Sequence, residues 1–133
     1  MHFPLKLYMS SLSTVEAKLE AESKAFQVIQ KELSQVIETR QRLESQQQEN
    51  ELVNKEFEHL DDESSIYKLI GPVLVKQERG EAVTNVKNRL NLITSEIERV
   101  EKQLTELTKK SELKKQEIAK LQMEYQQFLA AKK

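Results

Sequence analysis

From Val83 to Phe128, apolar side chains recur at steps that alternate between three and four. The positions are Val83, Val86, Leu90, Ile93, Ile97, Val100, Leu104, Leu107, Ser111, Lys114, Ile118, Leu121, Tyr125 and Phe128, and only Ser111 and Lys114 are not apolar. A 3.5-residue repeat sustained over about seven heptads specifies a coiled-coil seam, because a globular helix face drifts at 3.6. An earlier stretch keeps the same alternation through Leu12, Val15, Leu19, Glu22, Phe26, Ile29, Leu33, Val36, Arg40 and Leu43. The seam then turns polar at Gln47, Asn50 and Asn54 and recovers at Phe57. A register shifted through Val53, Phe57 and Leu60 fits that end equally well, as a local stutter. Ser13 followed by Glu16 reads as a capping box, which sets the first helix start near residue 13.

These signals divide the chain into an N-terminal extension over 1–12, a helix over 13–60, a connection over 61–81 and a second helix over 82–131. At 1.5 Å per residue each helix is roughly 70–75 Å long. A helix with one apolar stripe needs a partner. Two stripes of matched length joined by a reversing connection zip together antiparallel. A parallel dimer of each helix is the alternative, and the short connection disfavours it. Arg40, Gln47, Asn50 and Asn54 at seam positions either fix the register or loosen the coil.

The connection loses the helical period. Ser65 to Gln77 is rich in β-branched and aromatic residues and is bounded by Asp61-Asp62-Glu63-Ser64 and Glu78-Arg79-Gly80. It reads as a β-hairpin with strands over about 65–70 and 73–77 that turns at Gly71-Pro72. Glycine takes positive φ at the first turn position and proline negative φ at the second, which is a type II′ pattern. Ile66 and Ile70 face one side, Tyr67 and Leu69 the other, and Val73 and Val75 alternate with Leu74. An isolated hairpin is marginal in water, and one that is apolar on both faces with two open edges invites pairing with other strands. The chain has no further strands to offer, so the hairpin calls for partner chains. A membrane-dipping loop fits less well, because Lys68 and Lys76 interrupt the run and no aromatic belt flanks it.

Composition narrows the function. Charged residues are 32% and aromatics 5%, with 2 Gly and 2 Pro, a balance suited to long helices rather than to a globular core. The net charge of −1 lacks the basic stripe a nucleic-acid binder needs, including a helical arm of the kind some tRNA synthetases carry. There is no cysteine, so no disulfide framework or thiolate metal site is expected. No run approaches the roughly 18–20 apolar residues that span a bilayer. Met1–Met9 is broken by Pro4 and Lys6 and lacks secretory-signal features, so a cytoplasmic protein is expected. The two histidines, His2 and His59, lie far apart. His59 with Asp61, Asp62 and Glu63 is better read as a solvated helix end than as a metal site. Lys109, Lys110, Lys114 and Lys115 interleave with Glu106, Glu112 and Glu117 and read as a solvated face. No phosphate loop or nucleophile motif is present, so no catalytic residue, cofactor or enzymatic activity is expected.

The run Tyr67-Lys68-Leu69-Ile70-Gly71-Pro72-Val73-Leu74-Val75-Lys76-Gln77, followed by Glu81-Ala82, Arg89-Leu90 and Ile93-Thr94, resembles β-class prefoldin. The resemblance extends over about residues 12–130, and the hairpin run is its specific part. It implies a mainly α fold, a long antiparallel two-helix coiled coil whose single hairpin joins an oligomeric β-barrel. It implies a heterohexamer of two α-class and four β-class subunits that captures unfolded proteins, actin and tubulin among them, without ATP. Delivery to the cytosolic chaperonin is implied as well. Ile66, Tyr67, Leu69, Ile70, Gly71, Pro72, Val73, Leu74 and Val75 become the assembly element. Antiparallel pairing brings the start of helix one to the end of helix two. Leu12, Val15, Leu19, Leu121, Tyr125, Phe128 and Leu129 thus become candidates for client contact or ordinary seam residues. Phe128 and Leu129 are adjacent and cannot both face one narrow seam, which leaves an apolar side chain exposed there. A coiled-coil scaffold or tether explains the heptads equally well but not the hairpin.

Overall fold

The computed structural model describes residues 4–61 and 65–131. Helix α1 spans Leu5–His59, strands β1 and β2 span Ile66–Ile70 and Val73–Gln77, and helix α2 spans Arg79–Ala131. The chain forms two compact units. A hairpin unit comprises residues 37–102, and a terminal unit joins the ends of the chain, up to residue 36 and from residue 103. Each helix contributes to both.

In the hairpin unit the heptad is visible in the burial. Val86, Ile93 and Val100 stand seven apart and are all buried, with Val100 at 1% exposure, while Leu90 and Ile97 between them are half-buried. On α1, Leu43, Gln47, Asn50, Asn54 and Phe57 are half-buried and Val53 is exposed. The straight register therefore holds to the end of α1, and no stutter occurs. Polar seam residues find partners across the coil. Arg40 donates from Nη2 to Glu101 Oε1 at 3.0 Å, and Arg89 donates to Asn50 Oδ1 at 3.4 Å. Of the two roles open for the polar seam residues, fixing the register is the one this pairing supports at Arg40 and Asn50.

The terminal unit follows the same plan. Tyr8, Val15, Val36, Leu107 and Ser111 are buried. Gln30 donates to Ser111 Oγ at 2.8 Å, and Lys114 Nζ donates to Glu22 Oε2 at 2.7 Å. The Glu22 carboxyl lies below its usual range because it accepts this bond, and the Lys114 ammonium lies above its usual range for the reciprocal reason.

Both helices start earlier than the expected residues 13 and 82. The Pro4 carbonyl accepts the first bond of α1 from the Tyr8 amide at 2.9 Å. Tyr8 continues the seam four residues before Leu12, and its ring meets Phe128 edge-on with centroids 6.0 Å apart. That packing carries the helix through Ser13, where Thr14 already back-bonds to the Ser10 carbonyl at 2.9 Å, as in a helix interior. The Ser13 and Glu16 capping signature is thus overridden by a distant contact. At the second helix the Glu78 carbonyl accepts from the Ala82 amide at 3.0 Å, and Ala82 is buried, so Gly80 lies inside the first turn rather than in a loop. Residues 1–3 of the expected extension, and Asp62, Glu63 and Ser64 of the expected turn, lie outside the described residues.

Candidate functional site

The hairpin follows from its turn. Gly71 has φ 59° and is the single positive-φ position among the described residues, so Pro72 keeps the negative φ its ring imposes. The two-residue turn sets the register Ile66↔Gln77, Tyr67↔Lys76, Lys68↔Val75, Leu69↔Leu74 and Ile70↔Val73. In such a hairpin the pair flanking the turn exchanges both backbone bonds, and bonded and non-bonded pairs alternate from there. The amides and carbonyls of Tyr67 and Leu69 on β1, and of Leu74 and Lys76 on β2, therefore point to the outer edges.

Ile66 and Gln77 at the base are half-buried, and the rest of both strands is exposed. Tyr67, Leu69, Ile70, Val73, Leu74 and Val75 are all large exposed apolar side chains, with Leu69 at 66%. They occupy both faces of the ribbon. Under the base lies a groove of about 220 Å³ lined in part by Val53, Phe57, Ile66, Ala82 and Val86.

Arg79 secures the base of the hairpin, a role that sequence reasoning missed. Its guanidinium donates to the carbonyls of Phe57 at 3.0 Å, Leu60 at 2.6 Å and Asp61 at 3.2 Å. The Phe57 carbonyl is one of the last four of α1, at the negative pole of its dipole, and Leu60 and Asp61 follow the helix directly. One side chain at the start of α2 thus caps α1. The signal available was a cation placed between the strand run and the first seam residue of α2. Its targets were not visible, because they lie about twenty positions away in sequence.

The second candidate surface lies in the terminal unit. The Glu22–Lys114 and Tyr8–Phe128 pairs bracket Leu12, Val15 and Leu19 on α1 and Leu121 and Tyr125 on α2. Val15 is buried; Leu12, Leu19, Leu121, Tyr125 and Phe128 are half-buried; Leu129 is exposed at 41%. Most of these expected contact residues thus occupy the seam, and Leu129 is the one expected member that stands clear of it. Leu5, Leu7, Met9 and Met123 are also exposed there and were not anticipated. An open groove of about 340 Å³ is lined by Tyr8, Glu124, Gln127, Phe128 and Ala131. Its walls are mostly apolar, so it suits a hydrophobic side chain of another polypeptide.

The remaining sequence candidates are the acidic run after His59 and the basic run of α2. Among the described residues no group of three potential metal ligands comes together, and Asp62 and Glu63 lie outside them. Lys114 pairs with Glu22 and with Glu117 at 3.4 Å, and Lys115 with Glu112 at 3.5 Å. No helix among the described residues is long and apolar enough to cross a membrane.

Comparison with known proteins agrees with this architecture. The family described as "Prefoldin subunit" matches residues 20–125. The chain is 46% identical to prefoldin subunit 6 of Mus musculus over 118 residues, covering 89% of this chain and 93% of that protein. It is 44% identical over 96 residues to prefoldin subunit 6 of Saccharomyces cerevisiae, covering 72% of this chain and 84% of that one. Among solved structures, the prefoldin beta subunit from Thermococcus strain KS-1 superposes with a TM-score of 0.69 at 23% identity, covering 76% of this chain and 89% of that chain. That last likeness concerns the fold.

Proposed function

The chain belongs to the prefoldin subunit family, and from that premise we propose that it serves as a β-class subunit of a hexamer of two α-class and four β-class chains. Family membership makes it a non-enzymatic co-chaperone subunit that partners with other prefoldin subunits. The proposal extends to its place and its work. In the cytoplasm the hexamer captures unfolded polypeptides, actin and tubulin among them, without ATP and passes them to the cytosolic chaperonin.

The observation that carries this reading is the hairpin, with apolar side chains on both faces and two open edges. Strand addition at an edge supplies backbone hydrogen bonds, and apolar burial supplies most of the free energy. A ring of such hairpins closing into a barrel removes every edge. Capture is assigned to the terminal unit. Leu12, Val15, Leu19, Leu121, Tyr125, Phe128 and Leu129 are the proposed contacts, with Leu129 already exposed and the half-buried members available if the seam opens. Each contact is weak and reversible, and several chains acting on one client raise the effective affinity without an energy source.

The test is capture of chemically unfolded actin by the hexamer assembled with its partner subunits. Phe128→Asp combined with Leu129→Asp is expected to weaken capture while the hexamer stays intact by size. Undiminished capture, even after both helix ends are removed, sinks the assignment of client contact to the terminal unit.

A further inference from the structure

The outer face of α2 in the hairpin unit changes character abruptly. Away from the seam, Glu96, Glu98, Arg99, Glu101 and Lys102 are all charged. The preceding stretch from Thr84 to Ser95 contains only Lys87 and Arg89 as charges, and its other outward positions are Thr84, Asn85, Asn88, Asn91, Leu92, Thr94 and Ser95. Steps of three, four and three place Asn85, Asn88, Leu92 and Ser95 along one helical face. Leu92 stands 68% exposed in the middle of them. Asn88, Asn91, Leu92 and Ser95 line an open groove of about 370 Å³.

This stripe begins at the hairpin. Asn85 lines the same groove as Ile66, Tyr67 and Lys68. The stripe's own side chains are uncharged, with Lys68 and Arg89 bordering it where it meets the strands, and this has the charge depletion of an interface core, one large apolar side chain standing in line with amides and a hydroxyl. Interface size points the same way. A stable interface uses about 20–30 residues on each side. The hairpin has five residues in each strand, divided between two edges, too few for two separate neighbours.

We infer that the Asn85–Asn88–Leu92–Ser95 stripe of α2 is a second assembly surface, covered by the neighbouring prefoldin subunit whose strand pairs with the hairpin. The inference rests on the proposed role of the hairpin in assembly. Leu92 enters an apolar recess on the neighbour, and the asparagine amides, carrying both donors and acceptors, fix the orientation of the two coils. A client surface would have to accept many sequences, and directional amides suit one fixed partner better. The sharp return of charge at Glu96 marks the edge of the covered region.

Two experiments on the coexpressed hexamer test this. The first compares Leu92→Arg with Glu98→Arg, an exposed position just beyond the stripe. Leu, Glu and Arg have similar helix propensities, so both variants keep the helical signal. Leu92→Arg is expected to dissociate at least about tenfold more readily than the unmodified hexamer, the loss of one anchoring side chain, while Glu98→Arg is unchanged. Equal dissociation of the two variants overturns the inference. If the unmodified chain does not assemble with an α-class subunit at all, the proposed function falls first and this surface with it. The second experiment uses the lack of native cysteine: Asn88→Cys carries a single photo-crosslinker. Cross-linking to another prefoldin subunit in the client-free hexamer supports the assignment. Cross-linking only to added unfolded actin, or to nothing, refutes it.

Discussion

The seam of α2 and the hairpin contain the same kinds of side chain with opposite fates. Val86, Ile93 and Val100 are buried against α1, whereas Leu69, Ile70, Val73 and Leu74 each remain more than half exposed among the described residues. The difference is one of supply. A helix exposes one apolar stripe, and a single partner helix covers it. A two-stranded ribbon exposes two faces and two edges, and one chain with a single hairpin cannot cover them. The helices therefore cover each other's stripes, while the hairpin, on the function proposed above, is half of a structure that other subunits finish.

The largest effect should come from breaking the hairpin side of this contrast. Leu69→Asp with Val73→Asp puts a carboxylate on each face of the ribbon and is expected to abolish assembly, with the far-ultraviolet helical signal of the isolated chain unchanged. A parallel loss of helix would show that the two regions are not independent. On the seam side, Val100→Ala is expected to destabilise the coil by about 1–3 kcal/mol in thermal or urea unfolding, the loss of buried methyl groups plus an incompletely filled space. Assembly at low temperature should survive it.

Arg79→Gln sharpens the contrast at the base of the hairpin, where the two regions meet. Removing the guanidinium leaves the carbonyls of Phe57, Leu60 and Asp61 without its hydrogen bonds. Faster amide exchange in the last turn of α1 and weaker assembly are expected, with little change at the chain termini. Unaltered exchange there would remove Arg79 from the account of the hairpin base.

The smallest effect concerns pH. Glu22 is lowered by its bond from Lys114, so its contribution is present above the usual carboxylate range and is lost as pH falls through the depressed value. Lys114 is raised, so its contribution is present below the usual lysine range and is lost as pH rises through the elevated value. Between those limits the pair stabilises the terminal unit. Glu22→Gln should flatten the acid limb of a stability–pH profile for that unit and leave the hairpin unit unmoved. An unchanged acid limb would show that the pair does not set it.

Much of this contrast was legible in the sequence, because it depends on local periods. The three-four alternation located the seam, and the switch from period 3.5 to strand chemistry located the hairpin. Gly71-Pro72 fixed the turn because only glycine enters positive φ there without strain. What could not be read depended on distant partners. The Ser13 capping box lost to the packing of Tyr8 on Phe128, a contact 120 residues apart that no local signal records. Val53 and Asn54 competed for the seam, and the register was decided by the rest of the coil rather than by their own polarity. Arg79 looked like a turn residue until the end of α1 lay beside it. Leu7, Met9 and Met123 carry no seam period, and Leu5, which continues it three residues before Tyr8, is nonetheless 69% exposed, so the exposure of all four on the terminal unit emerged only from the fold.

The most direct test of the central claim is native mass spectrometry of this chain coexpressed with an α-class prefoldin subunit. A complex of two α-class and four β-class chains is expected, reduced to free chains by Leu69→Asp with Val73→Asp. A stable monomer or homodimer that ignores the α-class chain, or a hexamer indifferent to the hairpin substitutions, would contradict the assignment of the hairpin as the assembly element.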